Sequence, residues 1–207
     1  MSGVRPQVIL ASASPRRREL LAEAGYDFVV RPPHENAECG RRDGESSAEL
    51  VARLARQKAA DVASRCDAGL VLGCDTVVEC CGQVLGKPQD RAHARQMLEL
   101  LRGHEHHVFS GLCLWVVPGN RHRVRVAMTR LVMTSISDQQ LQGYLDTGGW
   151  QGKAGAFGYQ DGHDWLAILE GSESNVVGLP LELLDEMMRD WERDAKAGQK
   201  LTGCAGT

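Results

Sequence analysis

The sequence predicts a single domain of mixed α/β (α+β) class, with a central twisted sheet flanked by helices. Short apolar runs typical of strands alternate with amphipathic segments typical of helices along most of the chain. The length of 207 residues suits one domain or a tight two-lobed unit, and 43% hydrophobic with 25% charged residues is ordinary for a globular chain. We expect the domain to cover residues 1–195. Residues 196–207 are polar and contain glycine, which predicts a flexible tail.

The first elements are a short strand, a capped helix and a second strand. Val8–Ala11 is an apolar run that ends at a serine-rich turn, where Ser14 is placed to cap a helix and Pro15 fits its first turn. The inward stripe of this helix is expected to be Leu20, Leu21 and Ala24. Phe28–Val30 is predicted to be the second strand, and the polar residues 31–44 a loop.

A longer helix follows the loop. Ser46 and Glu49 have the spacing of a capping box. Apolar residues then recur once per turn, which places Lys58 on the apolar side of the helix. The stripe consists of Leu50, Leu54, Lys58 and Val62.

The middle of the chain predicts a buried strand, a hairpin and a third helix. Residues 69–73 (GLVLG) are the strand, and they lead directly into Asp75. Residues 77–85 turn back at Gly82 as a hairpin, and Asp90 caps the helix. The inward positions of that helix are Ala94, Met97, Leu98 and Leu101.

The second half predicts a long hairpin and two further helices. Residues 108–117 and His122–Met133 are β-rich runs joined by Pro-Gly-Asn, a strong turn signal. Ser137 caps a short helix, residues 148–162 form a glycine-dense loop, and residues 164–169 are the last strand. The inward residues of the short helix are Leu141, Tyr144 and Leu145. Those of a final helix, which begins at Pro180, are Leu181, Leu184, Met188 and Trp191.

Composition excludes several classes of protein. A formal charge of -3 and 5% aromatic residues argue against nucleic-acid binding, which needs a basic surface and, for single strands, stacking aromatics. No apolar run approaches the length of a membrane span. The seven cysteines include no CxxC pair, so reduced thiols are favoured over a zinc site or disulfides. We therefore expect a cytoplasmic protein that binds neither membrane nor nucleic acid.

Two motifs near the strand ends carry candidate chemistry. In S-x-S-P-R-R, Ser12, Arg16, Arg17 and the free N–H groups of a helix start together suit an anion, although an ordinary capped helix with solvated arginines has the same pattern. Asp75 follows a buried strand, where ligand sites of open α/β sheets cluster. It is a candidate cation ligand or proton acceptor, the alternative being a turn aspartate.

Further candidates lie in loops. Gly86-Lys87-Pro88 resembles a Walker A loop only faintly, because proline stands where Ser or Thr must bind magnesium. Lys87 is therefore either a phosphate ligand or a solvated lysine. The glycine-dense loop lacks the G-x-G-x-x-G pattern but can approach a ligand closely, with Lys153 and Gln160 as its polar contacts. Glu35 and Glu38 are either solvated charges or cation ligands.

The order of these motifs resembles one family, the Maf nucleoside triphosphate pyrophosphatases. The resemblance covers about residues 8–190 and depends on unrelated short motifs that occur in the same order. They are ASASPRR, ARQKA, GCDTVV, GKP, HHVFSG, GKAGAFGYQ and NVVGLPL. We accordingly expect an elongated two-lobed unit with the active cleft between the lobes.

The resemblance implies hydrolysis of a nucleoside triphosphate to the monophosphate and pyrophosphate. Asp75 matches the proposed proton acceptor of the family. The phosphate-binding positions match Ser12, Arg17, Lys58 and Lys87, and the positions that separate subfamilies match Arg16, Thr76 and Gln160. Arg, Thr and Gln is the combination of the branch that acts on dTTP and UTP. The hypothesis is thus a pyrophosphatase for dTTP and UTP or modified pyrimidine relatives.

The resemblance also implies a divalent cation, Mg²⁺ or Mn²⁺, with Asp75 as one ligand. The acidic cluster that the family usually has after the second strand reads PPHENAE in this chain. Either Glu35 or Glu38 is therefore expected to supply the second ligand.

Two alternatives to this hypothesis remain open at this point. One is a pyrophosphatase of different base specificity, and the other is a non-catalytic, nucleotide-binding regulator of cell division. Intact Asp75, Lys58 and Lys87 argue against pure binding, because a sensor needs no acid beside its phosphates. The valine-rich strand around Val124 and Val126 is a candidate surface for a homodimer.

Overall fold

One mixed sheet of seven strands forms the centre of the molecule. The computed structural model describes the backbone of residues 7–202 and the side chains of residues 7–194. The strands are β1 (Val8–Ala11), β2 (Phe28–Val30), β3 (Gly69–Cys80), β4 (Gln83–Leu85), β5 (Glu105–Val117), β6 (His122–Met133) and β7 (Leu166–Glu170). Their order is β2-β1-β3-β5-β6-β7, with β4 paired to β3. β1 runs parallel to β2 and β3, and the other pairs are antiparallel, so the predicted mixed sheet is confirmed.

Helices flank this sheet, and most begin where the sequence places a cap. They are α1 (Pro15–Glu23), α2 (Ser47–Ala63), α3 (Arg91–Leu101), α4 (Asp138–Thr147), α5 (Glu173–Val177) and α6 (Leu181–Thr202). Capping boxes at Ser46 and Ser137 and the Asp90 cap are confirmed. Ser14 stands at the cap position of α1, but its side chain makes no capping hydrogen bond. Its N–H instead donates to Ser12 Oγ at 3.2 Å.

Strand β3 has one edge that changes partner part-way along. It pairs with β1 up to Gly73 and with β4 from Val78 onward, whereas its other edge pairs with β5 throughout. Residues 74–77 therefore have no strand beside them on the first edge. The sequence predicted only residues 69–73 and a separate hairpin here, because the polar GCDT segment interrupts the apolar pattern.

Helix α2 packs unusually close to the sheet. A Cβ atom at Gly73 would overlap the carbonyl oxygen of Ala55, and one at Gly111 would overlap the carbonyl oxygen of Val51. These two glycines therefore let the helix backbone lie directly on β3 and β5. The close approach brings Lys58 of α2 down to the level of β3.

The two largest hydrophobic clusters use opposite ends of the same face of β3. Leu70, Leu72 and Cys74 belong to one cluster, which α1 and α6 cover, while Val78 belongs to the other, which α3 and α4 cover. Thr76 lies between them on that face, so a polar position separates the two clusters. The elongated outline itself stays a prediction.

Some predicted positions differ in the structure. Ala24 is exposed rather than inward, because α1 ends at Glu23 and Ala24 is its C-cap. The last strand begins at Leu166, and the short helix α5 was not predicted because five residues are too few for a periodic pattern. Val124 and Val126 pack partly against buried clusters of this chain, so they are less exposed than expected. The homodimer stays a prediction.

The last helix extends past the predicted domain boundary at residue 195. Helix α6 continues to Thr202, so residues 196–202 are helical where the sequence predicts a flexible segment. Residues 203–207 lie outside the described residues, and flexibility of the tail stays a prediction. Between residues 7 and 202, none of the helices has both the length and the apolar composition that crossing a bilayer requires.

Candidate active site

A cavity of about 510 Å³ lies where β3 has its unpaired edge. Its wall combines segments that are far apart in the chain: the β1–α1 turn, the loop after β2, α2, β3, the segment after β4, the glycine-dense loop and the α5–α6 turn. The predicted site residues on this wall are Ser12, Arg16, Arg17, Glu35, Glu38, Lys58, Thr76, Lys87, Lys153 and Gln160. Asp75 is the one predicted site residue behind the wall.

Asp75 is connected to the cavity by its hydrogen bond with Lys58, which lines the wall. The Lys58 ammonium donates to Asp75 Oδ1 at 2.6 Å and lies 3.2 Å from Glu38 Oε1. Only 11% of each side chain of the Lys58–Asp75 pair is exposed, compared with 36% for Glu38. A buried charge is costly unless it is paired, and here each member of the pair compensates the other. Glu38 is thus the acidic loop residue that the structure brings next to Asp75.

Glu35 also faces the cavity but has a different position. It begins a short 3₁₀ segment, Glu35–Ala37, and lines the wall. Across the described residues, no cluster of three or more His, Cys, Asp or Glu side chains is arranged to hold a metal ion. The carboxylates predicted to bind a cation are thus placed as a pair, Asp75 and Glu38, that meets at Lys58, and as Glu35 on the same wall.

Arg17 joins four parts of the site. Its Nε donates to the Gly178 carbonyl at 2.9 Å, and its Nη2 donates to Thr76 Oγ1 at 3.1 Å. Its Nη1 donates to the Cys74 carbonyl at 2.8 Å and to Ser12 Oγ at 3.2 Å. Four of the roughly five N–H donors of a guanidinium are therefore engaged by the protein itself. Arg17 holds the wall together more than it offers free donors to a phosphate.

The wall carries an excess of positive charge around Lys87. Burial lowers the pKa of Lys87, and the nearby charges of Arg17 and Lys58 lower it further. Burial and the charge of Arg17 likewise lower the pKa of Arg16. Cations that destabilise one another in this way favour an anion between them. The cavity is therefore suited to a strongly negative ligand.

The three positions expected to select the base all border this cavity. Arg16 Nη2 donates to the Gly152 carbonyl at 2.9 Å, which ties α1 to the glycine-dense loop. Thr76 Oγ1 lies 2.8 Å from Ser110 Oγ, in addition to its bond with Arg17. Gln160 lines the wall from the glycine-dense loop.

Sequence reasoning did not identify several residues that shape the site. The Gly178 carbonyl accepts from Arg17, and no sequence signal marks a backbone acceptor. Lys153, which was expected to contact the ligand, donates to both carboxylate oxygens of Asp161, and Tyr144 donates to Asp161 as well. Tyr144 was assigned to the core from its helical spacing alone. Phe157 was also missed, although it lines the cavity.

Comparison with known proteins gives consistent results. A family model described as "Maf-like protein" matches residues 7–191. A dTTP/UTP pyrophosphatase of Rhodopirellula baltica is 54% identical over 190 residues, which are 91% of this chain and 84% of that protein. A dTTP/UTP pyrophosphatase of Symbiobacterium thermophilum is 44% identical over 183 residues, covering 88% of this chain and 92% of the relative. One from Geotalea uraniireducens is 39% identical over 191 residues, or 91% and 97% of the two chains.

Proposed function

Because this chain belongs to the Maf-like protein family, we propose that it hydrolyses nucleoside triphosphates, dTTP and UTP or modified pyrimidine relatives, to the monophosphate and pyrophosphate. Relatives that match about nine-tenths of the chain are named dTTP/UTP pyrophosphatases. The observation that carries the proposal is the cavity that brings Ser12, Lys58 and Lys87 together, with an acid, Asp75, paired to Lys58 behind its wall.

The charge of the cavity matches that of a triphosphate. A nucleoside triphosphate carries about four negative charges, and phosphoryl transfer depends mainly on positioning and on neutralising that charge. Lys58 and Lys87 supply ammonium groups, and Ser12 supplies a hydroxyl. The N–H groups in the first turn of α1 add partial positive charge, and the Ser14 side chain does not occupy them.

Asp75 is the proposed proton acceptor. Its Oδ1 accepts from Lys58, which leaves Oδ2 as the oxygen that takes the proton. A water molecule held there attacks the α-phosphorus. A new P–O bond forms, the bond to the bridging α–β oxygen breaks, the water proton passes to Asp75, and pyrophosphate leaves with the bonding electron pair.

The residues present also fit a divalent cation. Asp75 and Glu38 bring carboxylate oxygens to one point, Lys58 Nζ, so two hard oxygen donors already converge on a positive charge. One or two carboxylates together with substrate phosphates are the usual ligands of Mg²⁺. We propose that Asp75 and Glu38 hold Mg²⁺ or Mn²⁺, with Glu35 as a further candidate. When bound, the cation supplies charge neutralisation on the phosphate oxygens.

Base selection is proposed to depend on Arg16, Thr76 and Gln160. The three side chains border the cavity, and each has donors or acceptors for the edge of a pyrimidine. A site built from fixed polar groups rejects a base that leaves those groups unpaired.

The protein is proposed to act in the cytoplasm, where nucleoside triphosphates are used. Six cysteines of the described part, among them Cys80 and Cys81, are free thiols. This agrees with a reducing compartment.

A panel of triphosphates tests the proposed function. dTTP, UTP, CTP, ATP, GTP and 7-methylguanosine triphosphate are incubated with the protein, with Mg²⁺ and with a chelator, and the products are separated. We expect dTTP and UTP to be cleaved fastest, to monophosphate and pyrophosphate, and only with the cation. Release of orthophosphate instead of pyrophosphate, or binding without turnover, would contradict the proposal, and the second result would support a non-catalytic regulator. A purine preference would overturn only the base assignment.

A further inference from the structure

Tyr144, Asp161 and Lys153 form a clamp on the glycine-dense loop, and we keep that name for these three residues. Lys153 Nζ donates to both carboxylate oxygens of Asp161, and the Tyr144 hydroxyl donates to Asp161 Oδ2 at 2.8 Å. Tyr144 lies on α4 and is 3% exposed. Burial and the adjacent carboxylate raise the pKa of Tyr144, so its hydroxyl stays protonated and can donate.

The surroundings of the clamp are shaped to hold it. A Cβ atom at position 158 would overlap Lys153 Nζ and the Asp161 carboxylate, so glycine there lets the ion pair lie against the backbone. On the other side, the Tyr144 ring packs against Phe157, with centroids 5.0 Å apart, and edge-on against Trp165 at 5.9 Å. The clamp therefore joins the glycine-dense loop to Tyr144 of α4, whose ring packs against aromatic residues that follow in the chain.

The clamp is directly adjacent in the chain to groups that face the base. Asp161 follows Gln160, and Lys153 follows Gly152, whose carbonyl accepts from Arg16. Fixing Asp161 and Lys153 therefore fixes the backbone at Gln160 and at the acceptor of Arg16. The side chains of Gln160 and Arg16 both line the cavity.

We propose that Tyr144 and Asp161 are positioning residues for base selection: they hold Lys153 and the loop so that Gln160 and Arg16 present a fixed polar edge to the nucleotide base. The inference rests on the proposed function for the location of the base. Neither residue needs to touch the ligand. Loosening the loop lets Gln160 and Arg16 adapt to a purine, so discrimination falls while the phosphate end of the cavity is unchanged.

Binding measurements on Tyr144→Phe and Asp161→Asn test this proposal. Calorimetry gives dissociation constants for the α,β-imido analogues of UTP and GTP, which are not cleaved, and for inorganic tripolyphosphate, which has no base. In both variants we expect the preference for the UTP analogue over the GTP analogue to fall about tenfold, a small part of the discrimination that a polar pocket can supply. The affinity for tripolyphosphate should remain that of the wild type.

Tyr26→Phe is the matched control. It removes the same hydroxyl from a tyrosine that donates to an aspartate, Asp185, at 2.5 Å, away from the cavity. This control should keep the wild-type preference for the UTP analogue. If Asp161→Asn fails to fold, the result for Tyr144→Phe alone tests the proposal.

Two results would overturn the inference. One is an unchanged ratio of the two dissociation constants in Tyr144→Phe. The other is an equal weakening of both analogues and of tripolyphosphate, which indicates general structural support. Failure of the proposed function is a separate result: a wild-type protein that prefers the UTP analogue but releases no pyrophosphate refutes hydrolysis and leaves the clamp in place.

Discussion

The ammonium group of Lys58 connects the two carboxylates closest to the proposed chemistry. It contacts Asp75 at 2.6 Å and Glu38 at 3.2 Å in a setting where little of the lysine or the aspartate is exposed. Removing one member of such a buried pair leaves an uncompensated charge, which is strongly destabilising. Substitutions of Lys58 or Asp75 are therefore expected to lower stability as well as activity, so the free energy of unfolding of each variant is measured beside its rate.

Lys87 allows a test through pH. Its pKa lies below the usual 10.5, mainly because the lysine is buried and also because other cations lie around it. The charged form binds an anion and is present below that lowered pKa, so affinity should fall as the pH rises through it. We expect the inhibition constant of inorganic tripolyphosphate to rise at alkaline pH in the wild type and to change less in Lys87→Met.

Ionisation of tripolyphosphate itself affects both proteins equally, so the difference between the two curves isolates the lysine. Parallel curves for wild type and variant would show that Lys87 does not contact the phosphates.

The sequence predicts some of these side chains well and others not at all. The one-turn spacing of α2 is local information, and it places Lys58 on the inner side correctly. Three of the four partners of Arg17 are 57 to 161 residues away, at Cys74, Thr76 and Gly178, and a helix-start pattern does not predict them. The expected phosphate ligand is therefore observed mainly as a bridge between segments.

At the scale of elements, α2 lies in direct backbone contact with the sheet. Gly73 and Gly111 are the positions on β3 and β5 where the helix backbone touches the strands. They hold the helix at the depth at which Lys58 can reach Asp75. A side chain at either glycine forces the helix outward and separates the two charges.

Gly111→Ala tests this close contact. Overpacking of a tight interior costs about 1–3 kcal/mol, and we expect the free energy of unfolding to fall by that amount. The rate of pyrophosphate release should fall as well, because Lys58 moves with the helix. Chemical denaturation and a turnover assay measure the two effects.

Gly143→Ala is the control for that substitution. Gly143 lies in α4, and a Cβ atom there has no neighbour within 4 Å. Alanine in an open helical position should stabilise the protein slightly. A Gly111→Ala protein as stable and as active as Gly143→Ala would refute the role given to the contact.

Elements with local signals were the easiest to predict. The capping boxes at Ser46 and Ser137 mark two helix starts, and each box is a motif only four residues long. The strand predicted for residues 69–73 is shorter than the observed β3. The polar residues of β3 are satisfied by tertiary contacts, which the sequence does not show. Helix α5 is shorter than the two turns that a periodic pattern needs.

On the scale of the whole molecule, the cavity lies where two hydrophobic clusters meet. β3 runs through both clusters, and its polar residues Asp75 and Thr76 fall between them, facing opposite sides of the sheet. The wall of the cavity is then completed by segments between residues 12 and 178. A ligand that contacts these segments together should stabilise the fold as a unit.

Thermal unfolding measures this stabilisation. A ligand at about 100 times its dissociation constant adds about 2.7 kcal/mol, which for a chain of this size raises Tm by about 5–10 °C. We expect that shift with the α,β-imido analogue of UTP. Uridine at the same concentration, which lacks the phosphates, should give little change. Equal shifts for the two ligands would indicate that the cationic wall does not bind the triphosphate.

The central claim is that Asp75, placed behind Lys58, takes the proton of the attacking water. The most direct measurement compares the rate of pyrophosphate release from UTP by the wild type, by Asp75→Asn and by Asp146→Asn. Asp146 is an exposed aspartate paired with Arg91, so its variant controls for the loss of a carboxylate. Asp75→Asn should be slower by about 10²–10⁴-fold, the usual contribution of a general base, and Asp146→Asn should match the wild type. An Asp75→Asn protein with near-normal turnover would contradict the account.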